Sequence, residues 1–413
     1  MKGLPRLPRA SAPAALGSLV ALGSQGLFAL FLLGLFEPGA VGVFLVISQV
    51  AFFWCTAALA QSPLSLLANR SLPPVEAARQ AWRGSLQRLL LLLPLALAAV
   101  WWMQRHATAQ EDLLTLALWV LGIAWPQMGW YLAQSLVMRT QGVWSIAAVR
   151  AAPPVLALLL ACMLALGWTQ LGASSLLASA LAGYAVGALW LWPLWRGGAA
   201  QQASPTASTA SVTTATPPTP AVQDARSTRL KFLHTLSDLS AMTFLAVQWK
   251  SLYGATEAGH LMILLRLMGY FPALVQVAWS QAILSRDEQH RPWHAGIAAL
   301  AAFAIAGVCA ALLLGIAQGW LSSAWQGLTH YLWPVALWQA ASCFASAYAH
   351  VPFARGLARQ HSQLCIAFNV LFMATVAWPW SPDPHLHILG LGLLAASYLL
   401  GISVWLSRAT RKP

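Results

Sequence analysis

The stretch LGLFEPGAVGVFLVISQVAFF, Leu33–Phe53, carries no charge except Glu37, which stands beside Pro38 at a single turn. Similar uncharged runs, separated by short charged loops, recur along the 413 residues. A helix needs about 20 mainly apolar residues to cross the hydrocarbon core of a bilayer. The stretch is therefore predicted to contain the turn that connects two membrane spans. The chain as a whole is predicted to be an all-α polytopic membrane protein.

The composition excludes an ordinary soluble domain. The chain is 59% hydrophobic and 8% charged, whereas soluble domains carry about 25% charged residues. Its net charge of +13 is spread over short loops and forms no continuous basic face, so no nucleic-acid partner is expected. The five cysteines lie in apolar runs and are interpreted as small core residues.

No pattern of catalytic residues emerges from the sequence. It has no catalytic triad, phosphate-binding loop or nucleotide fold, so the chain is not expected to be an enzyme or to need a cofactor. The histidines, His234 and His361 among them, fall mostly at the ends of spans, and no metal site is predicted.

Runs of bilayer length predict about twelve spans in two groups of six. The first group lies near 12–36, 41–64, 88–103, 114–137, 145–168 and 175–195. The second group lies near 232–252, 258–284, 294–318, 332–353, 363–380 and 386–406. These groups predict two six-helix lobes, over 1–196 and 231–413. The segment 197–230 between them is rich in Ala, Ser, Thr and Pro and is predicted to be a flexible cytoplasmic linker.

The basic residues predict the orientation, because loops that hold Lys and Arg stay in the cytoplasm. With the N-terminus inside, nearly all loop Lys and Arg are cytoplasmic, and Arg105 is the one assigned to a periplasmic loop. One span more or fewer would scatter this asymmetry. The chain is therefore expected in a bacterial inner membrane, crossing it many times, with both termini cytoplasmic.

A weak internal repeat relates the two groups of spans. FEPGAVG at Phe36–Gly42 and YGATEAG at Tyr253–Gly259 are each a short turn between two long spans. Aligning Gly42 with Gly259 places Gln49 on Arg266. Since six spans separate the copies, both have the same orientation, which is the parallel type of transporter repeat.

The segment YGATEAGHLMILLRLMGYFPALVQVAWSQAILSR, Tyr253–Arg286, resembles the seventh-to-eighth helix signature of bacterial polysaccharide flippases. It has an aromatic-Gly turn, a Gly entering the next helix and an Arg further on. Leu33–Phe53 resembles the first hairpin of the same proteins. The resemblance is to the oligosaccharide-lipid flippase branch, similar to O-antigen flippases, of the multidrug, oligosaccharidyl-lipid and polysaccharide exporter superfamily.

The resemblance implies a function. A protein of this branch would move an undecaprenyl-pyrophosphate-linked oligosaccharide from the inner to the outer leaflet by alternating access, without breaking a covalent bond. Its expected partners are the lipid-linked oligosaccharide, membrane lipids and the polysaccharide polymerase machinery. A pyrophosphate head group would need a wet, cationic cavity, and arginine suits phosphate because its donors form a fork.

Ionisable side chains within spans are expected to mark functional sites. Arg266 lies about eight residues into the eighth span, roughly 12 Å deep, and is the first choice for phosphate contact. The alternative is that it pairs with Asp238 or with a backbone carbonyl and holds helices together. Arg150 and Asp238 could bind substrate or an ion, or pair with each other. Lys250 could line an outward vestibule or snorkel to headgroups. Gln49 could bind glycan hydroxyls or join two helices.

Two other functions fit the same spans. A multidrug exporter coupled to cations, from the same superfamily, would need acidic residues in its cavity, and Asp238 is the one acid that lies within a predicted span. A glycan polymerase or glycosyltransferase with many spans would need a large periplasmic loop for its catalytic residues. The predicted periplasmic loops are short, the longest lying around Leu321–Tyr331.

Overall fold

The structure of the protein is a computed structural model. It describes residues 12–60, 62–68, 72–105, 112–140, 143–167, 172–194, 225–276 and 294–411. These residues are almost entirely helical, and no strand occurs among them. The all-α architecture predicted from the sequence is confirmed.

Helices of the first half follow the predicted spans closely. They are α1 (Ala12–Leu35), α2 (Pro38–Leu59), the short α3 (Ser62–Ala68), α4 (Pro74–Leu91), α5 (Leu93–Gln104), α6 (Leu113–Thr140), α7 (Val143–Gly167) and α8 (Gly172–Ala188), which a 3-10 helix (Leu189–Leu194) extends. The third predicted span corresponds to α4 and α5, which form one path bent by 45°.

The second half begins with α9 (Ala225–Leu274), a long helix that bends at Gly254. Its limbs, 225–253 and 255–274, are called α9a and α9b here and hold the seventh and eighth predicted spans. The remaining helices are α10 (His294–Ala317), a 3-10 helix (Ser323–Leu328), α11 (Thr329–Ala347), the short α12 (Val351–Ala354), α13 (Ala358–Ala377) and α14 (Pro384–Arg411).

Helix α9 begins at Ala225 and so includes the last six residues of the predicted linker. The rest of that linker, 197–224, lies outside the described residues, as do the basic N-terminus, 1–11, and the end of the eighth predicted span within 277–293. The domain boundaries therefore stay a prediction.

Six described helices are long and apolar enough on their own to cross a membrane, and seven if the bent pair of α4 and α5 counts as one span. The other predicted spans also lie at least in part on described helices. Helices such as α13 are not counted among these six or seven. Polar residues interrupt the apolar run of α13, among them Arg359, His361 and Asn369. The chain is an all-α polytopic membrane protein.

Both turns quoted from the sequence are sharper than predicted. Helix α2 already starts at Pro38, directly after Glu37, and proline is favoured there because its fixed φ suits a first helical turn. In the second turn the bend falls on the single residue Gly254, whose φ of 86° is readily adopted only by glycine. Each turn is therefore confined to one or two residues.

Helices α2 and α9b cross where the two hairpins meet. A Cβ atom on Gly42 would overlap the backbone carbonyl oxygen of Ala255, and one on Gly259 would overlap that of Pro38. The two glycines that the repeat aligned thus lie against each other. Small residues permit close backbone approach between membrane helices, where packing replaces the hydrophobic driving force.

Helix pairing repeats between the halves. The first helix of each half packs on the fifth, as α1 on α7 and α9 on α13, and the fourth packs on the sixth, as α6 on α8 and α11 on α14. The most extensive contact joins α2 to α9 across the halves. This recurrence supports the parallel repeat inferred from the sequence.

Two arginines from the predicted cytoplasmic loops hold helix ends together. The guanidinium of Arg88 donates to the carbonyl oxygen of Ala58 at 2.6 Å, near the end of α2, and to Ser62 Oγ at 2.6 Å. Arg139 donates to the carbonyl oxygens of Leu66 and Leu72. Cations at helix C-termini satisfy carbonyls that have no intrahelical partner. Arg88 and Arg139 therefore stabilise the fold, in addition to any effect on how the chain is oriented in the membrane.

The crossing makes a stability prediction. We expect Gly42→Ala and Gly259→Ala each to destabilise the protein by about 1–3 kcal/mol, because the added methyl group overpacks a backbone contact. Gly39→Ala is the matched control, since its Cβ would lie 3.5 Å from Thr256 Oγ1, an ordinary contact. Thermal unfolding in detergent measures the effect, and equal melting temperatures for all four proteins would contradict the close crossing.

Candidate functional site

A cavity lies between the first-half helices and α9b. Its empty space is about 550 Å³ when the open mouth is included. Its lining residues are Gln25, Phe28, Phe44, Ser48, Trp130, Pro153, Pro154, Ala157, Ala180, Tyr184 and Arg266. Arg266 is the charged residue in this lining, and no carboxylate is part of it.

Aromatic rings form much of the cavity wall. The rings of Phe28 and Phe44 meet edge to face with centroids 5.8 Å apart. Trp130 lies 5.5 Å from Tyr184 and stacks on Tyr131 at 5.1 Å. Contacts of this kind are rigid and worth about 0.5–1.5 kcal/mol beyond their buried area. The wall therefore holds a fixed shape around the cation.

Arg266 reaches the cavity from the opposite half of the chain. Its Nε donates to Tyr270 Oη at 3.3 Å, one helical turn further along α9b. Its guanidinium carbon lies 5.6 Å from the centre of the Phe28 ring on α1. A phenol and a ring face orient the guanidinium without neutralising its charge. The positive charge is thus available to a ligand in the cavity.

Helix α7 runs through Pro153 and Pro154 without a break, although the proline pair predicts a bend or a break in the fifth span. Pro153 has no N–H, so the carbonyl oxygen of Val149, four residues earlier, lacks its usual helical donor. The indole Nε1 of Trp130 donates to that oxygen at 2.6 Å. A side chain of α6 thereby replaces the missing backbone bond and fixes one wall of the cavity.

Gln49 does not line the cavity, although the neighbouring Ser48 does. Its Nε2 donates to Thr243 Oγ1 of α9a at 3.2 Å. Gln49 thus extends from α2 to α9a, the first helix of the second half. Arg266 makes the equivalent contact in the opposite direction, from α9b to α1, the first helix of the first half. Of its two predicted roles, the interhelical hydrogen bond is the one present.

The other three predicted residues lie away from the cavity lining. Arg150 is half-buried on α7, and one of its terminal nitrogens lies 3.7 Å from Met138 Sδ. Lys250 is buried, with 6% of its surface exposed, which favours the protein interior over snorkelling to headgroups. Asp238 faces His234 at 3.2 Å and accepts a hydrogen bond from Asn369. Their roles stay predictions.

Sequence reasoning missed the aromatic lining. Trp130 and Tyr184 lie inside apolar spans, where aromatic residues pack against many kinds of neighbour, so their spacing carries no specific signal. The one available hint is Pro153, because a proline in a helix leaves a carbonyl that some donor must satisfy. Which donor does so depends on the packing of α6 on α7.

A polar network stands at the turn of α9, at the edge of the predicted spans. Tyr331 Oη donates to Glu257 Oε2 at 2.7 Å, and His260 Nδ1 lies 3.3 Å from the same oxygen. The hydrogen bond with His260, and then that with Tyr331, hold the pKa of the Glu257 carboxyl below its usual value despite partial burial. An ionised Glu257 thus ties the start of α9b to α11.

Solved transporter structures share this architecture. The lipid II flippase MurJ, in an inward closed conformation, matches 97% of this chain and 87% of its own length, with a TM-score of 0.55 and 12% sequence identity. The chain has the fold of MurJ. A MOP superfamily transporter from Pyrococcus furiosus matches 98% of this chain and 96% of its own, with a TM-score of 0.47 and 14% identity. No family model and no curated protein sequence matches the chain.

These comparisons bear on the fold and not on the superfamily expected from the sequence, which stays a prediction. The MOP superfamily is the multidrug, oligosaccharidyl-lipid and polysaccharide exporter superfamily named above. At 12% identity the likeness establishes the fold alone. The polysaccharide branch and the substrate stay predictions.

The bond between Trp130 and Val149 makes a second prediction. We expect Trp130→Phe to cost about 1–3 kcal/mol, because the Val149 carbonyl loses its donor while the aromatic ring remains. Trp125→Phe on the same helix is the control, since Trp125 is exposed on the outer face. Thermal unfolding in detergent measures the difference. A Trp130→Phe protein as stable as the control would show that the bond contributes nothing.

Proposed function

We propose that this chain exports an anionic, lipid-linked glycan, an undecaprenyl-pyrophosphate-linked oligosaccharide, across the bacterial inner membrane. The observation that carries the proposal is Arg266, which stands in an aromatic cavity whose lining contains no carboxylate. A cavity of this charge attracts anions and repels cations. The resemblance of Tyr253–Arg286 to polysaccharide flippases points to the same substrate class.

The chemistry of a pyrophosphate fits such a cavity. Phosphate oxygens lose much hydration when they leave water, and a charge-assisted bond from a guanidinium compensates for part of that loss. Arg266 can present its terminal nitrogens to phosphate, since its Nε is the atom bonded to Tyr270. The lipid tail would remain in the bilayer.

The contact between the halves suggests how access alternates. On the predicted orientation, the crossing of Gly42 with Gly259 lies at the periplasmic end. Two further bonds join the halves near that end, from Trp102 Nε1 to Gln248 Oε1 at 2.6 Å and from Trp325 Nε1 to the Phe36 carbonyl oxygen at 3.0 Å. Opening this end would require the two halves to rock apart. Export of each negative charge gains about 2.3 kcal/mol per 100 mV of membrane potential.

A multidrug exporter coupled to cations, the alternative that the sequence leaves open, is the second candidate. A cationic drug in this cavity would meet the charge of Arg266 without a carboxylate to offset it. The acid within the spans, Asp238, bonds with His234 and Asn369 instead. The cavity therefore favours an anionic substrate over a cationic one.

Charge reversal at Arg266 tests the proposal. In cells that depend on this protein for surface polysaccharide, we expect Arg266→Glu to abolish export, with the lipid-linked glycan accumulating in the inner leaflet. Arg266→Gln should slow export about 10- to 100-fold, the equivalent of one charged hydrogen bond of about 1.5–3 kcal/mol. Arg266→Lys should retain part of the activity, since lysine keeps the charge but loses the forked geometry.

Arg355→Glu is the matched control, because Arg355 is exposed at the end of α12 and its reversal leaves the cavity intact. Immunoblots of membranes must show equal amounts of each variant. Unchanged surface polysaccharide with Arg266→Glu would contradict the proposal. Export of cationic dyes that depends on Asp238 would favour the multidrug exporter.

A further inference from the structure

Four metal-binding side chains meet between α9a and α13, away from the cavity. His234 and Asp238 lie four residues apart on α9a, and His361 and Cys365 lie four residues apart on α13. Residues at this spacing project from the same face of a helix. The two helices pack on each other, so the two pairs face one another across their contact.

The donor atoms are close enough to share one ion. The ligand atoms of His234, His361 and Cys365 all lie within 4.8 Å of one another. Cys365 Sγ is 3.8 Å from each ring nitrogen of His361, and His234 Nε2 is 3.2 Å from Asp238 Oδ2. A tetrahedral zinc with bonds of about 2.0–2.3 Å separates its ligands by about 3.3–3.6 Å. The two histidines and the cysteine thus need shifts of about 1 Å to ligate zinc, and Asp238 would join them by turning from His234 toward the ion.

Neighbouring side chains orient the acid of this cluster. Asn369, two turns after His361 on α13, donates to Asp238 Oδ1 and also to Ser237 Oγ at 2.9 Å. Such outer partners hold ligands in place and are a regular feature of metal sites. Asn369 leaves Asp238 Oδ2, the oxygen that faces His234, directed toward the cluster.

An ion can reach the cluster from outside. The side chain of His234 is 21% exposed and that of Asp238 is 53% exposed, while His361 and Cys365 are half-buried. On the predicted orientation both helix segments lie at the cytoplasmic end of their spans. The free thiol of Cys365 therefore combines two properties of a metal ligand, access to solvent and fixed neighbours.

We propose that His234, His361 and Cys365, together with Asp238, form a binding site for a divalent transition metal of the zinc type. Imidazole and thiolate donors select zinc or cobalt over magnesium and calcium, which prefer oxygen. The bound ion would clip α9a to α13 at one end of the second half. The site is separate from the proposed transport function and does not depend on it.

Metal binding to the purified full-length protein tests the site. The protein is prepared with an affinity tag that contains no histidine, stripped with a chelator and titrated with Co²⁺ and Zn²⁺. We expect one Co²⁺ per chain with the visible bands of a tetrahedral site and a thiolate-to-cobalt charge-transfer band. Zn²⁺ should displace Co²⁺ and raise the melting temperature.

Substitutions then assign the ligands. Cys365→Ser should remove the charge-transfer band and weaken Zn²⁺ binding at least 10-fold, and Asn369→Ala should weaken it about 10- to 100-fold, as loss of an outer partner does. Cys162→Ser is the control, because Cys162 is also half-buried but lies on α7. Each variant must elute as a single species and unfold cooperatively in metal-free buffer, so that weaker binding is measured on folded protein.

Absence of stoichiometric Co²⁺ binding by the folded wild-type protein would overturn the proposal. A charge-transfer band that survives Cys365→Ser would also overturn it, since the thiolate would then come from another cysteine. Failure of this site would leave the cavity proposal untouched, because Arg266→Glu tests the cavity and the cobalt titration tests the cluster between α9a and α13.

Discussion

The close contact between Gly42 and Gly259 determines where the other functional side chains lie. Gln49 and Arg266 each follow their glycine by seven residues, about 10 Å or two helical turns along the same helix face. Because the glycines bring α2 and α9b together, those two side chains are directed across the interface between the halves. Gln49 reaches Thr243 on α9a, and Arg266 reaches Phe28 on α1. One backbone contact therefore fixes the geometry of the cation.

The repeat is symmetric in backbone and asymmetric in charge. In both halves the first helix packs on the fifth and the fourth on the sixth, yet one half contributes an arginine where the other contributes a glutamine. The cavity consequently forms in the first half and takes its charge from the second. A site that depends on both halves changes when they move relative to each other, which is what alternating access requires.

The length of the apolar runs was sufficient to predict most helices, and Arg266, which the sequence singled out, is among the residues that line the cavity. Apolar runs of bilayer length mark each span because lipid leaves the backbone no other partners than its own helix. Arg266 stood out because a charge so deep in a span is costly. The sequence could not indicate that Trp130 completes the helix at Val149, since that bond joins α6 to α7 through packing. It also could not indicate that His234 and Cys365 meet, because 131 residues separate them.

The partners of Asp238 argue against one interpretation of Arg266, a structural pair between these two residues. Had the two residues paired as structural glue, the carboxylate would have cancelled the charge, since such a pair at 4 Å interacts by about 4 kcal/mol at an effective dielectric constant of 20. Asp238 instead bonds with His234 and Asn369, and Arg266 contacts Tyr270 and Phe28. Neither a neutral phenol nor a ring face supplies a negative charge. Within the described residues, the acid and the cavity cation are therefore kept apart, and the cavity stays positive.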